Sequence, residues 1–154
     1  MTADTMDRKV REKVLEPMLI AGIRTTGCYG DSGKLFGKLG RAVGSIAKGK
    51  PLNLYYDGEY KEEDADFESC FPVKKTKEVD GIDFRELPGG RCLSLLHYGP
   101  YEELHRSYAQ LLGYVEEHGL KTVLPSREVY IKGPGMIFRG NPKKYITELQ
   151  VMLA

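Results

Sequence analysis

A shift of 69 residues lays Cys28–Val43, CYGDSGKLFGKLGRAV, on His97–Leu112, HYGPYEELHRSYAQLL. Leu35, Leu39, Val43 and Ile46 then meet Leu104, Tyr108, Leu112 and Val115, and Gly30 meets Gly99. Slightly larger shifts, taken up in the loops, bring Tyr55 of LNLYY onto Tyr130 of REVYI and Glu68 onto Glu148. Four elements recur in one order, so each half reads strand, helix, strand, strand. A duplicated unit of this size restricts the chain to two similar halves that share a core.

The second helix is the better specified. Gly99-Pro100 opens it, with Pro100 expected at the first helical position, where a missing N–H costs nothing. Glu102 and Glu103 put negative charge where the helix dipole favours it. Leu104, Tyr108, Leu111, Leu112 and Val115 recur at intervals of three and four and form one apolar stripe. Gly119 marks the stop. In the first half the helix is expected over 33–48, weakened by Gly37, Gly40 and Gly44. Strands are expected over 14–26, 52–56, 67–73, 91–98, 127–132 and 145–153, with a short extended piece at 82–87. The runs DGEYKEEDAD, KKTKEVDG and GPGMIFRGNPKK read as polar connectors.

The whole is an α+β expectation: duplicated strand-helix-strand-strand halves, antiparallel sheets, two helices on one side and a central cleft on the other. Residues 1–9 read as a frayed N-terminus and 10–154 as one domain, with halves at about 10–78 and 82–154. Hydrophobic residues at 41% and charged residues at 29% suit a soluble globular chain. A net charge of +1 supplies no field toward nucleic acid or a membrane surface. No apolar run approaches a membrane span, and MTADTMDRKVREK is too polar for a signal peptide. Three scattered cysteines, Cys28, Cys70 and Cys92, fit a reducing compartment without metal spacing, so a cytoplasmic location without cofactor or metal is expected.

Side chains alternate between the faces of a strand, and the apolar set should lie under the helices. Tyr145, Thr147, Leu149, Val151 and Leu153 then leave Glu148 on the helix-free face, and Phe67, Ser69, Phe71 and Val73 leave Glu68 there. By the same rule Val129 and Ile131 leave Glu128 and Tyr130 on the open face, and Leu54 and Tyr56 leave Asn53 and Tyr55. Joined around a pseudo-two-fold axis, the halves would line one concave site with Tyr55, Glu68, Tyr130 and Glu148. Tyr98 and Tyr101 flank the helix start, where they line the cleft mouth or pack the turn. His97 reads as a strand-end residue satisfied by backbone, with a base or a ligand contact as the alternative.

The segments HYGPYEELHRSYAQLLGYVEEHGL, REVYIKGP and NPKKYITELQVML resemble the GyrI-like small-molecule-binding superfamily, which includes effector-binding domains of AraC-type and multidrug-sensing transcription regulators. The resemblance spans about residues 10–154 and is strongest from His97 onward. It implies the duplicated fold and a cleft for amphipathic, aromatic or cationic molecules, with an acidic residue reading the ligand's charge. By strand position Glu148 is the first candidate for that residue and Glu68 the second. One branch of the family resembles hydrolases that open strained cyclopropane rings in cytotoxins. That branch implies Glu148 as general acid/base and Tyr130 as positioning donor. A gyrase-inhibitor type of protein interaction is the third implied role. The chain has no Trp, a departure from the regulators' wide aromatic slots.

No phosphate loop, zinc pattern or Ser/His/Asp motif is visible. No helix-turn-helix segment precedes the domain, so a stand-alone effector-type protein is expected, with no direct nucleic-acid or membrane partner.

Overall fold

The computed structural model describes residues 9–58, 61, 63–134 and 140–154. Of the segment expected to fray, residues 1–8 lie outside the described residues, as do parts of the DGEYKEEDAD and GPGMIFRGNPKK connectors. Ten principal elements follow in order: β1 (Arg11–Leu15), β2 (Met18–Gly27), α1 (Ser32–Val43), β3 (Leu52–Tyr55), β4 (Ala65–Pro72), β5 (Asp83–Leu87), β6 (Gly90–Tyr98), α2 (Leu104–Glu117), β7 (Thr122–Lys132) and β8 (Ile146–Leu153).

The strands form one antiparallel sheet in the order β1-β6-β8-β7-β3-β4-β2-β5. Read from either end, this order is the same unit: an edge strand, the first strand of a half, its last strand, then its middle strand. The expected duplication is therefore written in the sheet, and β3 and β7 meet at its centre. Their register pairs Leu52 with Val129, Asn53 with Glu128, and Leu54 with Arg127.

The strand expected over 14–26 is two strands. Pro17 has no N–H to give a ladder, and the chain breaks beside it. β1 pairs with β6 and β2 with β4, so the break sends the two pieces to opposite halves. Pro100 also departs from expectation. Its backbone is extended, and a 3-10 turn over Tyr101–Glu103 leads into α2. Gly119, at φ +60°, ends the helix in the left-handed region as expected.

Both helices lie on one side. Under α1, Leu39 and Val43 pack with Ala21, Ile46 and Val73. Under α2, Leu111 packs with Leu93, Leu95, Leu149 and Val151. Of the stripe expected from spacing, Leu112 is 54% exposed, while Leu111 is fully buried. The helix-free face has its own apolar cluster of Ile20, Leu52, Leu54, Cys70 and Leu87, with Val129 packed against it. No helix among the described residues is long and apolar enough to cross a membrane.

Candidate functional site

Parity places the two predicted carboxylates as expected. Glu68 lies on the helix-free face, where Arg85 Nη2 and Nη1 donate to Oε1 and Oε2 at 2.6 and 2.7 Å and Tyr56 donates to Oε1 at 2.7 Å. Glu148 lies on the same face, where its Oε2 accepts from Lys13 Nζ at 2.8 Å, Ser94 at 2.7 Å and Gln150 at 2.9 Å. Burial pushes the Glu148 carboxyl up, but the hydrogen bonds from Lys13, Gln150 and Ser94 outweigh it and hold the group below its ordinary value. The two sites are symmetric, since each draws its cation from an edge strand, β5 or β1.

Tyr55 and Tyr130 lie on the opposite face, between the helices. The single concave site of Tyr55, Glu68, Tyr130 and Glu148 does not form, because the sheet separates one pair from the other. The apolar-inward rule inverts at β3 and β7. These central strands are buried on both faces, and Leu52, Leu54 and Val129 are needed for the helix-free cluster. Their alternate residues, Asn53, Tyr55, Glu128 and Tyr130, must then face the helices.

Glu128 is the focus of that face. It is buried, and hydroxyls of Tyr55 (3.0 Å) and Tyr130 (2.8 Å) donate to its Oε1 while that of Tyr108, from α2, donates to its Oε2. Among the described residues no Lys or Arg forms an ion pair with it. Burial pushes the Glu128 carboxyl above its ordinary value, opposed by the three hydroxyls. Burial and the nearby carboxylate hold Tyr55, Tyr108 and Tyr130 well above their ordinary values, so they stay protonated as donors. Asn53 opposes Glu128 across the strand pair. Its amide nitrogen lies 2.9 to 3.1 Å from Ser32 Oγ, Tyr55 OH and Tyr130 OH, while Ser69 Oγ donates to its Oδ1. An amide has two hydrogens, so those three acceptors share them.

Aromatic rings surround the carboxylate. Phe36 of α1 meets Tyr130 edge-on at 5.9 Å, Tyr101 meets Tyr130 at 5.8 Å and Tyr145 at 5.2 Å, and Tyr29 meets Tyr55 at 5.2 Å. Burial pushes the Tyr101 hydroxyl up to about 12. Thr147, beside Tyr130 in the β7–β8 register, is fully buried and its hydroxyl has no hydrogen-bond partner among the described residues. His97 shares this face; its Nδ1 pairs with Ser107 Oγ at 2.7 Å and its Nε2 with the Pro100 carbonyl at 3.0 Å. Tyr98, the next residue of β6, points to the helix-free side. Sequence reasoning did not name Glu128, Asn53, Tyr108 or Thr147 as site residues. The alternation of Glu128 with Tyr130, mirrored by Asn53 with Tyr55, was the available signal. No metal-binding cluster of His, Cys, Asp or Glu is found among the described residues.

The sheet thus carries a buried carboxylate held by three phenols, and residues 8–154 match the GyrI-like small molecule binding domain. The chain belongs to the GyrI-like family. Among solved structures, this GyrI-like domain is similar to the C-terminal domain of EcmrR, at 26% identity and a TM-score of 0.83, over 95% of this chain and 97% of that one. It is also similar to EcmrR in its DNA complex, at 25% identity and a TM-score of 0.84, over 98% of this chain and 59% of that one. This chain therefore spans a little over half of the longer regulator. A protein solved with tetraphenylphosphonium bound shares the fold at 14% identity and a TM-score of 0.64, over 95% of this chain and 94% of that one. Among curated proteins, no sequence is similar enough to count as a match.

Proposed function

We propose that this domain binds amphipathic aromatic cations against the sheet face between α1 and α2, with Glu128 reading the positive charge. The observation that carries the reading is a buried carboxylate ringed by phenols, with no Lys or Arg ion pair among the described residues. A buried carboxylate is costly without a counter-charge. A ligand cation supplies that charge, and each aromatic face it covers adds roughly 0.5–2 kcal/mol. Tyr55, Tyr101 and Tyr130 are the proposed ring contacts, and the unmet Thr147 hydroxyl offers a polar anchor. The relative bound to tetraphenylphosphonium supports the same ligand class. Glu68 and Glu148 stand outside this proposal, because each already holds a protein cation.

The test is a thermal-shift titration with tetraphenylphosphonium on wild type and Glu128→Gln. Stabilisation of the wild type that is lost in the variant supports the reading. Equal stabilisation of both, or of neither, contradicts it.

A second reading uses the same carboxylate. A Glu whose pKa is raised by burial suits general acid/base work, and the proposed acid for opening a strained cyclopropane is then Glu128 rather than Glu148, which its partners hold below its ordinary value. Turnover of a cyclopropane electrophile, abolished by Glu128→Gln and retained by Glu148→Gln, supports this reading. Binding of the same electrophile without turnover contradicts it.

A further inference from the structure

Asn53 is 1% exposed, and both polar atoms of its side chain are engaged. The hydrogen bonds around an amide decide which way its oxygen and nitrogen point. Ser32 Oγ spends its one hydrogen on the Tyr29 carbonyl at 2.9 Å, so toward Asn53 it can only accept. The atom 2.9 Å from it must therefore be the amide nitrogen. The opposite atom, Oδ1, then accepts from Ser69 Oγ at 2.7 Å. Ser32 and Ser69 thus fix the amide with its N–H groups toward Tyr130 and Tyr55, at 3.0 and 3.1 Å.

That orientation decides where the phenol hydrogens go. Each phenol has one hydrogen to give, and the two hydroxyls lie 3.2 Å apart, close enough to bond each other. A phenol that donated to its neighbour would be lost to Glu128. Two amide hydrogens among Ser32 and the two phenols put at least one on the phenol pair. An N–H there fills acceptor capacity that the phenol–phenol bond would need and strengthens the phenols as donors. Their hydrogens run on to Glu128 Oε1, at 3.0 Å from Tyr55 and 2.8 Å from Tyr130. With Oδ1 toward the phenols instead, the same side chain would draw those hydrogens off the carboxylate. The fold does not require an amide here, since the counterpart of Asn53 in the repeat is Glu128 itself.

We propose that Asn53 is the positioning residue of this site: its amide, fixed by Ser32 and Ser69, turns the Tyr55 and Tyr130 hydroxyls onto Glu128 and holds it as an acceptor-only anion. The inference deepens the reading of Glu128 given above, and its consequence for cation binding rests on that reading. Asn53 then sets the pH above which the carboxylate meets a cation. The titratable groups facing Glu128 are Tyr55 of β3, Tyr130 of β7, Tyr108 of α2, Tyr101 before α2 and His97 of β6. Ser32 and Phe36 of α1 and Leu149 of β8 bring no charge. Of the titratable groups, Tyr55 and Tyr130 are the two that Asn53 touches.

The test follows the Glu128 carboxyl carbon by NMR through a pH titration of the full chain without ligand. The proteins are wild type, Asn53→Leu and Ser69→Ala, with Glu128→Gln to assign the signal. Asn53→Leu removes the donors at similar volume and should raise the Glu128 midpoint by about one pH unit, tenfold in its ionisation constant. Ser69→Ala frees the amide to turn and should move the midpoint the same way by less. The pH profile of tetraphenylphosphonium affinity should shift in step and regain the wild-type Kd above the new midpoint. In wild type alone, NOEs should link the Asn53 amide hydrogens to the Tyr55 and Tyr130 rings, a readout that needs no variant to fold. An unmoved midpoint in Asn53→Leu, a loss of affinity independent of pH, or amide NOEs to Ser69 in place of the two rings would overturn the proposal. A shifted midpoint in a protein that does not bind tetraphenylphosphonium would support the positioning role and overturn the cation reading alone.

Discussion

Asn53 and Glu128 face each other directly across the β3–β7 pair at the centre of the sheet, and each is the other's counterpart in the internal repeat. The pseudo-two-fold axis runs between them. An amide on one side and a carboxylate on the other break the symmetry at the point where the two halves share a surface. Tyr55 and Tyr130, their flanking counterparts, both donate to the carboxylate, and the amide nitrogen lies within hydrogen-bond distance of both phenol oxygens. The two halves thus differ in charge at the residues that meet on the axis.

The first prediction concerns pH. Because burial raises the Glu128 pKa, the folded state keeps a proton that the unfolded chain releases. From the ordinary carboxylate pKa up to the raised value, stability therefore falls as pH rises, and above it the loss is complete. Cation affinity runs the other way, increasing as the carboxylate ionises. Glu128→Gln should remove both slopes, as read by denaturant titrations and binding isotherms across the acidic range.

Tyr108→Phe removes the one hydroxyl that α2 gives to Glu128. The missing donor leaves a buried carboxylate oxygen unmet, at a cost of about 1–3 kcal/mol. The cost belongs to the ionised form, so the variant should raise the Glu128 pKa further. Urea melts should show a large deficit above that pKa and a smaller one below it. A deficit independent of pH would assign Tyr108 to packing alone.

Gly22 leaves the space that Glu68 fills. A Cβ built at Gly22 would lie 2.2 Å from Glu68 Oε2, and Arg85 pins that carboxylate in place. Gly22→Ala should destabilise by about 1–3 kcal/mol through overpacking. Gly22→Ala combined with Glu68→Ala should lose less than the two single changes added together, as measured in a double-mutant cycle.

Lys13 and Glu148 tie edge strand β1 to β8. The depressed Glu148 pKa contributes stability above the ordinary carboxylate value, and this is lost as pH falls through the folded-state pKa. Lys13 is nearly half exposed, so Lys13→Met should cost only about 0.5–1 kcal/mol near neutrality. That difference should vanish once Glu148 is protonated, which unfolding curves at neutral and strongly acidic pH will show.

The duplication, the two helices, the order of elements along each half and the faces of Glu68 and Glu148 were legible because each rests on one strong local pattern. Leu149 and Val151 go under a helix, so Glu148 goes to the other side. The pattern fails at Val129 and Leu54. Both faces of the central strands are buried, so hydrophobicity no longer says which face meets the helices, and Glu128 and Tyr130 were assigned to the wrong side. Tyr108 was legible as apolar stripe but not as a hydrogen-bond donor, since its acceptor lies twenty residues away on a strand whose face was inverted. The burial of Arg127 was invisible for a related reason. Only the sheet order reveals that a residue in a charged-looking REVYI is buried opposite Leu54.

The central claim is that charge is read on the helix side of the sheet by Glu128. Isothermal titration of tetraphenylphosphonium into wild type, Glu128→Gln and Glu148→Gln tests it most directly. Loss of a buried charge contact should weaken the Glu128 variant by roughly tenfold to a hundredfold, with Glu148→Gln indistinguishable from wild type. An unchanged Kd in Glu128→Gln, or a loss confined to Glu148→Gln, would contradict the account.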